Sequence, residues 1–322
     1  MKLYPLKFKP ILKEKLWGGT KLKEVLNKPS ESEITGESWE LSGVDGDISE
    51  VANGNLKGVS LKQLIQQNGK DLLGERVINR FGDDFPILIK FIDAKQDLSI
   101  QLHPNDELAK ERHNSFGKTE MWYVMNSDLD GKLIVGFDRN VTKNQYIKSL
   151  KDDTLLDLMN YEYVSKGDTF FINTGKVHAI CAGVMLAEIQ QTSDLTYRIF
   201  DFNRKDKDGN LRELHTELAL DAIDYEKKDD FKVNYSSATD AVNEMVDCPY
   251  FKTNFLNLTT TMHLDVTDRD SFTIYMCVEG EAEIKNDWGT VSLVNGETIL
   301  IAAASTSINI TTTGTKLLEV TI

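Results

Sequence analysis

Short runs that alternate apolar and polar residues with a period of two recur along this chain, many of them separated by glycine-containing turns. That spacing belongs to strands with two unlike faces, and it constrains the fold more than any other feature. In LSIQLH (98–103), Leu98, Ile100 and Leu102 fall on one face and Ser99, Gln101 and His103 on the other; in KTEMWYVM (118–125), Lys118, Glu120 and Trp122 share a face. PILIKFI (86–92), DTFFI (168–172), VMLAEIQQ (184–191), FTIYMCVEG (272–280) and ETILIAA (297–303) also read as strands. Helical spacing is confined to 60–80, 105–112 and 143–159. The expectation is a mainly β protein with a few helical insertions.

One internal similarity bears on architecture. KGDTFFINTGKVHAI, from Lys166, lies without a gap on NGETILIAAASTSIN, from Asn295: Gly167 falls on Gly296, Asp168 on Glu297, Thr169 on Thr298 and Ile172 on Ile301. In that register His178 falls on Ser307, so only the first copy keeps a side chain able to bind a metal. A polar stretch, EKKDDFKVNYSSATD (226–240), suggests a boundary. We expect a domain over 1–235 that carries the site and a smaller β domain over 236–322.

A net charge of −14 repels a phosphate backbone and argues against nucleic acid as a partner. Three cysteines, Cys181, Cys248 and Cys277, without Cys-x-x-Cys spacing make neither a disulfide framework nor a thiolate metal site. With no signal-like N-terminus and no long apolar run, the expectation is a cytoplasmic protein with no membrane partner and no obligate protein partner.

The chemistry-bearing residues are scattered. Gln101 and His103 point to the same side of one predicted strand, Glu120 projects from another, and His178 follows the turn NTGKV. Two neutral imidazoles, a carboxylate and an amide oxygen leave open positions on a divalent ion; such donors suit zinc, iron or manganese, and one zinc per chain is the expectation. Each residue alone has a plainer reading as a surface or hydrogen-bonded group, and His113, His215 and His263 keep it. Lys90 interrupts an apolar run, so it has a partner carboxylate, faces an enclosed site, or snorkels to water. Glu188, Asp194, Arg198 and Arg204 crowd into seventeen residues, EIQQTSDLTYRIFDFNR (188–204). Arg198 could anchor a phosphate or a developing oxyanion, but the residues alone favour a structural pair with Asp194 or Asp201.

With PILKEKLWGG (10–19), GESWELSG (36–43), FPILIKFIDAKQDLSIQLHPND (85–106), GKTEMWYV (117–124), NTGKVHAI (173–180) and QQTSDLTYRIFDFNR (190–204) in this order, the chain resembles the type I phosphomannose isomerases of the cupin superfamily. The resemblance implies a cupin, or jelly-roll, β-sandwich catalytic domain followed by a degenerate cupin-like domain. It implies interconversion of mannose 6-phosphate and fructose 6-phosphate through an enediol, a step of carbohydrate metabolism. It implies zinc ligation by Gln101, His103, Glu120 and His178, the set reached from the strand faces. Arg198, Lys118, Lys90, Glu188 and Asp194 become candidate catalytic residues, and Ser99, Lys118 and Arg198 candidate substrate contacts, with the acid–base group left open among them. The stretch between Glu120 and His178 is too short for the helical insertion domain of longer members. A non-catalytic metal- or sugar-binding cupin is the alternative, and two histidines with a carboxylate also suit an iron-dependent oxygenase.

Overall fold

A computed structural model of the chain describes every residue except 1, 207 and 230. It is mainly β, with three antiparallel sheets and short helices between them. The first sheet runs in the order Ile11–Gly19, Thr35–Leu41, Ile87–Ala94, Val184–Gln191, Glu120–Ser127, Thr169–Ile172. A second, of five strands, faces it: Tyr197–Phe200, Ile100–Leu102, His178–Ile180, Lys132–Phe137, Met159–Tyr163. Trp17, Ile92, Trp122, Val124, Leu133, Val135, Ile172, Ile180 and Leu186 pack between the two as the core of a sandwich.

The run PILIKFI is apolar on both faces because its strand is covered on both. Ile92 faces the second sheet, whereas Ile89 and Phe91 join a different core with Leu64, Leu73, Phe255, Met276 and Leu318. That second core ties the site-bearing sheet to a third sheet, of eight strands, built mostly from residues after 241. The strand Leu6–Lys7 also pairs with Thr298–Ile301, so the start of the chain lies in the third sheet too.

The internal similarity has a structural counterpart. Gly167 and Gly296 both adopt positive φ, at 94° and 85°, and the strands that follow, Thr169–Ile172 and Thr298–Ile301, begin and end at matched positions. The next strands begin at His178 and Ser307, also matched. The neighbours agree as well. Ile87–Ala94, Val184–Gln191, Glu120–Ser127 and Thr169–Ile172 lie side by side in one sheet as Lys252–Leu258, Ser307–Thr321, Thr273–Asn286 and Thr298–Ile301 do in the other. The chain therefore holds two cupin-like units, consistent with the mainly β cupin architecture expected.

The helices depart from their expected spans. The segment 60–80 divides into Leu61–Leu73, itself kinked at a non-helical Gly69, and Glu75–Phe81, the two parted at Gly74. Gly74 has φ +97°, and a Cβ there would lie 2.4 Å from the Asp270 carbonyl oxygen, so the chain turns where only glycine fits. The helix expected over 143–159 stops at Lys151, since Asp153 takes a left-handed φ of 55°; a short 3-10 turn, Leu155–Leu158, and a strand from Met159 follow.

Candidate metal centre and its cavity

The alternation expected over 98–103 holds from Ser99 to Leu102 but not at Leu98, which precedes the strand Ile100–Leu102 and packs in the sandwich core on the cavity wall rather than with Ile100 and Leu102. Ile100 and Leu102 enter the core behind the second sheet, while Ser99 and Gln101 line a cavity of about 360 Å³ between the first and second sheets. Gln101 lies directly across the ladder from His178. Glu120 opens its strand in the first sheet, and His103 follows the strand that carries Gln101. Residues distant in sequence thus meet where the two sheets face each other.

His103, Glu120 and His178 are each at most 1% exposed, and one donor atom from each lies within 4.8 Å of the others, a cluster able to hold a metal ion. Nε2 of His178 is 3.3 Å and Nε2 of His103 3.6 Å from the Glu120 carboxylate. The outer ring nitrogens are engaged: Nδ1 of His103 lies 2.8 Å from the Leu195 carbonyl and Nδ1 of His178 2.8 Å from that of Lys176. Protons on those Nδ1 atoms leave both Nε2 lone pairs facing inward, the arrangement that orients metal-binding imidazoles. Burial, helped by the Lys118 charge, holds His103 well below its ordinary pKa; burial lowers His178 to about 4. Both rings are therefore neutral at pH 7 and available as ligands.

The same atoms are the unsatisfied ones. His103 Nε2 and both Glu120 oxygens are buried without a hydrogen-bond partner, a costly condition for a protein to maintain. Burial lifts the Glu120 carboxyl to about 7 against the pull of Lys118, whose ammonium is 3.2 Å away. A divalent cation would satisfy all three atoms, so the residues present fit one. The Gln101 side-chain nitrogen lies 3.5 Å from His178 Nε2, and a half-turn of its amide presents the oxygen to the cluster instead.

The cavity beside the cluster is rich in charge. Lys15, Lys90, Lys118, Arg198 and Arg212 line it against Glu37, Glu188 and Asp194, an excess of positive charge in a chain of net charge −14. Lys90 does not snorkel to water: only 4% of its side chain is exposed, and it sits 3.1 Å from Glu188 and 5.1 Å from the centre of the Trp39 ring. Burial alone would neutralise it, but Glu188, Glu37 and Asp194 outweigh that and raise its pKa, so it stays an ammonium. Burial would likewise raise Glu188; Lys90 and Lys118 prevail and hold it at about 2, with the Trp122 indole donating at 2.9 Å.

The structural pair favoured for Arg198 is absent among the described residues. Its Nε donates to Ser99 Oγ at 3.2 Å and its Nη1 to the Glu213 carbonyl at 3.0 Å. Asp201 is taken instead by Arg204 and Arg212, which leaves the Arg198 charge without a carboxylate partner. Ser99, Gln101, Lys118, Lys90, Glu188, Asp194 and Arg198 all border the one cavity.

Sequence reasoning passed over Lys15, Glu37, Trp39 and Arg212. The Trp39 indole donates to Glu37 at 2.7 Å, and Lys15 pairs with Glu37 at 3.1 Å. Glu37 and Trp39 are two apart on a fully buried strand, and a carboxylate inside such a strand was the available signal. Arg212 gave none, because it reaches the cavity from an irregular loop.

Fold and cluster together define a two-unit cupin with a buried cluster of two histidines and a glutamate able to bind a metal. The description "Phosphomannose isomerase type I, catalytic domain" matches residues 5–127 and "Mannose-6-phosphate isomerase, cupin domain" matches 241–319. Mannose-6-phosphate isomerase ManA of Bacillus subtilis is 35% identical over 283 residues, 87% of each chain, and a mannose-6-phosphate isomerase of Streptococcus mutans is 36% identical over 219 residues, 68% of this chain and 67% of that one. The crystal structure of the mannose 6-phosphate isomerase from Bacillus subtilis superposes with a TM-score of 0.90 at 30% identity, covering 99% of this chain and all of that one. The chain belongs to the type I phosphomannose isomerase family.

Proposed function

We propose that this protein is a zinc-dependent aldose–ketose isomerase that interconverts mannose 6-phosphate and fructose 6-phosphate through an enediol. The observation that carries the reading is the buried cluster of His103, Glu120 and His178, with unsatisfied atoms, beside a cavity of about 360 Å³ that holds an excess of cations. Gln101, His103, Glu120 and His178 would hold the ion, with coordination positions left for substrate. Bound there, it supplies Lewis-acid polarisation of the sugar oxygens without any change of redox state.

The chain's own groups do the rest. Isomerisation moves a proton between C1 and C2, and the negative charge that develops on the adjacent oxygens must be held. Arg198, free of a carboxylate partner and anchored through Ser99, has a forked donor face to offer an oxyanion or a phosphate. Lys90, kept protonated by Glu188, Glu37 and Asp194, contributes fixed positive charge and is not a base. Lys118, Glu188 and Asp194 remain as the groups on the cavity wall that can carry the proton. Trp17, Trp122 and Leu98 give the wall apolar surface and exclude water.

The free thiols Cys181, Cys248 and Cys277 suit a reducing, cytoplasmic setting, and no helix among the described residues is long and apolar enough to cross a membrane. A coupled assay of fructose 6-phosphate formation, run with metal analysis and with a chelator, tests the proposal. Turnover that vanishes on chelation and returns with zinc is the expected result. A protein that binds metal and sugar phosphate without turnover would instead be a binding cupin.

A further inference from the structure

Beyond the strand-borne side chains, one end of the cavity carries a charge arrangement that the metal cluster does not explain. Three guanidiniums, Arg198, Arg204 and Arg212, surround a single carboxylate, Asp201. Arg212 grips Asp201 with two donors, Nε to Oδ2 at 2.6 Å and Nη2 to Oδ1. Arg204 donates to the same Oδ1 from Nε at 3.2 Å and turns its Nη1 to the Asp97 carbonyl. Arg198 spends Nε and Nη1 on Ser99 and Glu213. Asp201 is thus held by two of the three guanidiniums, and among the described residues Arg198 has no carboxylate within ion-pair distance.

Only two of the three arginines, Arg198 and Arg212, line the cavity. Among the described residues, Nη1 of Arg212 and Nη2 of Arg198 donate to nothing. Burial and the neighbouring Arg212 charge lower the pKa of Arg198 against the pull of Asp201 and Glu213, so the repulsion between the two arginines is only partly offset. Such repulsion is relieved by a dianion placed between the two, and forked guanidiniums are well shaped to hold phosphate oxygens. Asp201 holds Arg212 by its inner edge, and that fixes which edge is left to face the cavity.

We infer that Arg212, positioned by Asp201, receives the phosphate group of the substrate together with Arg198, so that the phosphate end of the cavity is completed by the irregular loop after Tyr197–Phe200. This rests on the sugar-phosphate reading given above. Arg212 touches substrate without taking part in the proton transfer, and Asp201 acts through it.

The test uses the full-length zinc-loaded protein, with Arg212→Ala, Arg212→Lys and Asp201→Asn beside wild type. KM and kcat are measured for mannose 6-phosphate, and the binding of inorganic phosphate is measured by calorimetry. Loss of a charge-assisted contact should raise KM about tenfold or more in Arg212→Ala, with kcat within about threefold, and weaken phosphate binding to a similar degree. Arg212→Lys, which keeps the charge without the fork, should fall between, and it carries the test if the alanine variant does not fold. Asp201→Asn should raise KM in the same direction by less. Unchanged phosphate affinity in the Arg212 variants, or a loss confined to kcat, overturns the inference. If wild type binds phosphate but does not isomerise, the functional reading fails while the phosphate measurement still decides the role of Arg212.

Discussion

Glu188 and Glu319 occupy the same station in the two cupin-like units. Each lies opposite two residues on the flanking strands, Lys90 and Trp122 for Glu188, Asn254 and Tyr275 for Glu319. An aromatic donor reaches each carboxylate, the Trp122 indole at 2.9 Å and the Tyr275 hydroxyl at 2.8 Å. The surroundings then diverge. Glu319 is also satisfied by Asn254 at 2.8 Å and Arg269 at 2.9 Å, whereas Glu188 borders the cavity with Lys90. The ligand positions diverge too: the cross-strand pair Gln101 and His178 corresponds to Asp265 and Ser307, and Glu120, opposite Ile172, corresponds to Thr273, opposite Ile301. The second unit has kept the frame and replaced the imidazole and carboxylate donors.

Glu319 should therefore matter for stability alone. Glu319→Ala leaves Arg269, Tyr275 and Asn254 facing an empty station, and removing one member of a buried charged network costs about 3–5 kcal/mol. Chemical denaturation should register that loss while kcat stays within about twofold of wild type. A large fall in kcat at unchanged stability would mean that the second unit takes part in turnover.

The Lys90–Glu188 pair gives stability an acid dependence. Because Glu188 is held at about 2, below an ordinary carboxylate near 4.3, its contribution is present above the unfolded value and is lost as pH falls toward the folded one. The difference in unfolding free energy between wild type and Glu188→Gln should be nearly flat above about pH 5. It should shrink on acidification from there toward about pH 2, by about 3 kcal/mol in all. Unfolding curves at stepped pH measure it, and a difference constant across that range would remove the pair from the account.

Metal should bind to the folded cluster and stabilise it. Adding zinc to chelator-treated wild type should raise the thermal midpoint, as any ligand of the native state alone must. In His103→Ala, which removes an inward Nε2, the rise should be much smaller and bound metal should fall well below one ion per chain. An equal rise in both proteins would place the metal somewhere other than this cluster.

Arg198 should separate activity from stability. It has no carboxylate partner among the described residues, so Arg198→Ala removes hydrogen bonds to Ser99 and to the Glu213 carbonyl, worth about 1–3 kcal/mol together. Its loss as a donor to the substrate's phosphate or to developing charge should reduce kcat/KM about a hundredfold or more. Steady-state kinetics beside a denaturation curve give both numbers, and comparable losses in each would return Arg198 to a structural role.

Much of this was written in the local sequence. Period-two alternation told which side chains share a face, so Gln101 with His103 and Glu120 with Lys118 and Trp122 could be grouped before any fold was known. The gapless match of 166–180 to 295–309 anticipated the strand positions of a repeated unit because turn glycines and apolar strands are local features. Lys90 stood out for the same reason, as a charge inside a strand covered on both faces.

What the sequence could not supply was the partner of each charge. Asp194 and Asp201 are nearest to Arg198 along the chain, yet Asp201 is claimed by Arg212, which a loop brings back from eleven positions away, and Arg198 is left to the cavity. Glu37 reaches Lys15 and stands near Lys90 only because three strands lie side by side. Faces and turns follow from backbone geometry over a few residues and can be read in order. Charge pairing and the depth of a cavity depend on which distant strands become neighbours, and only the folded chain decides that.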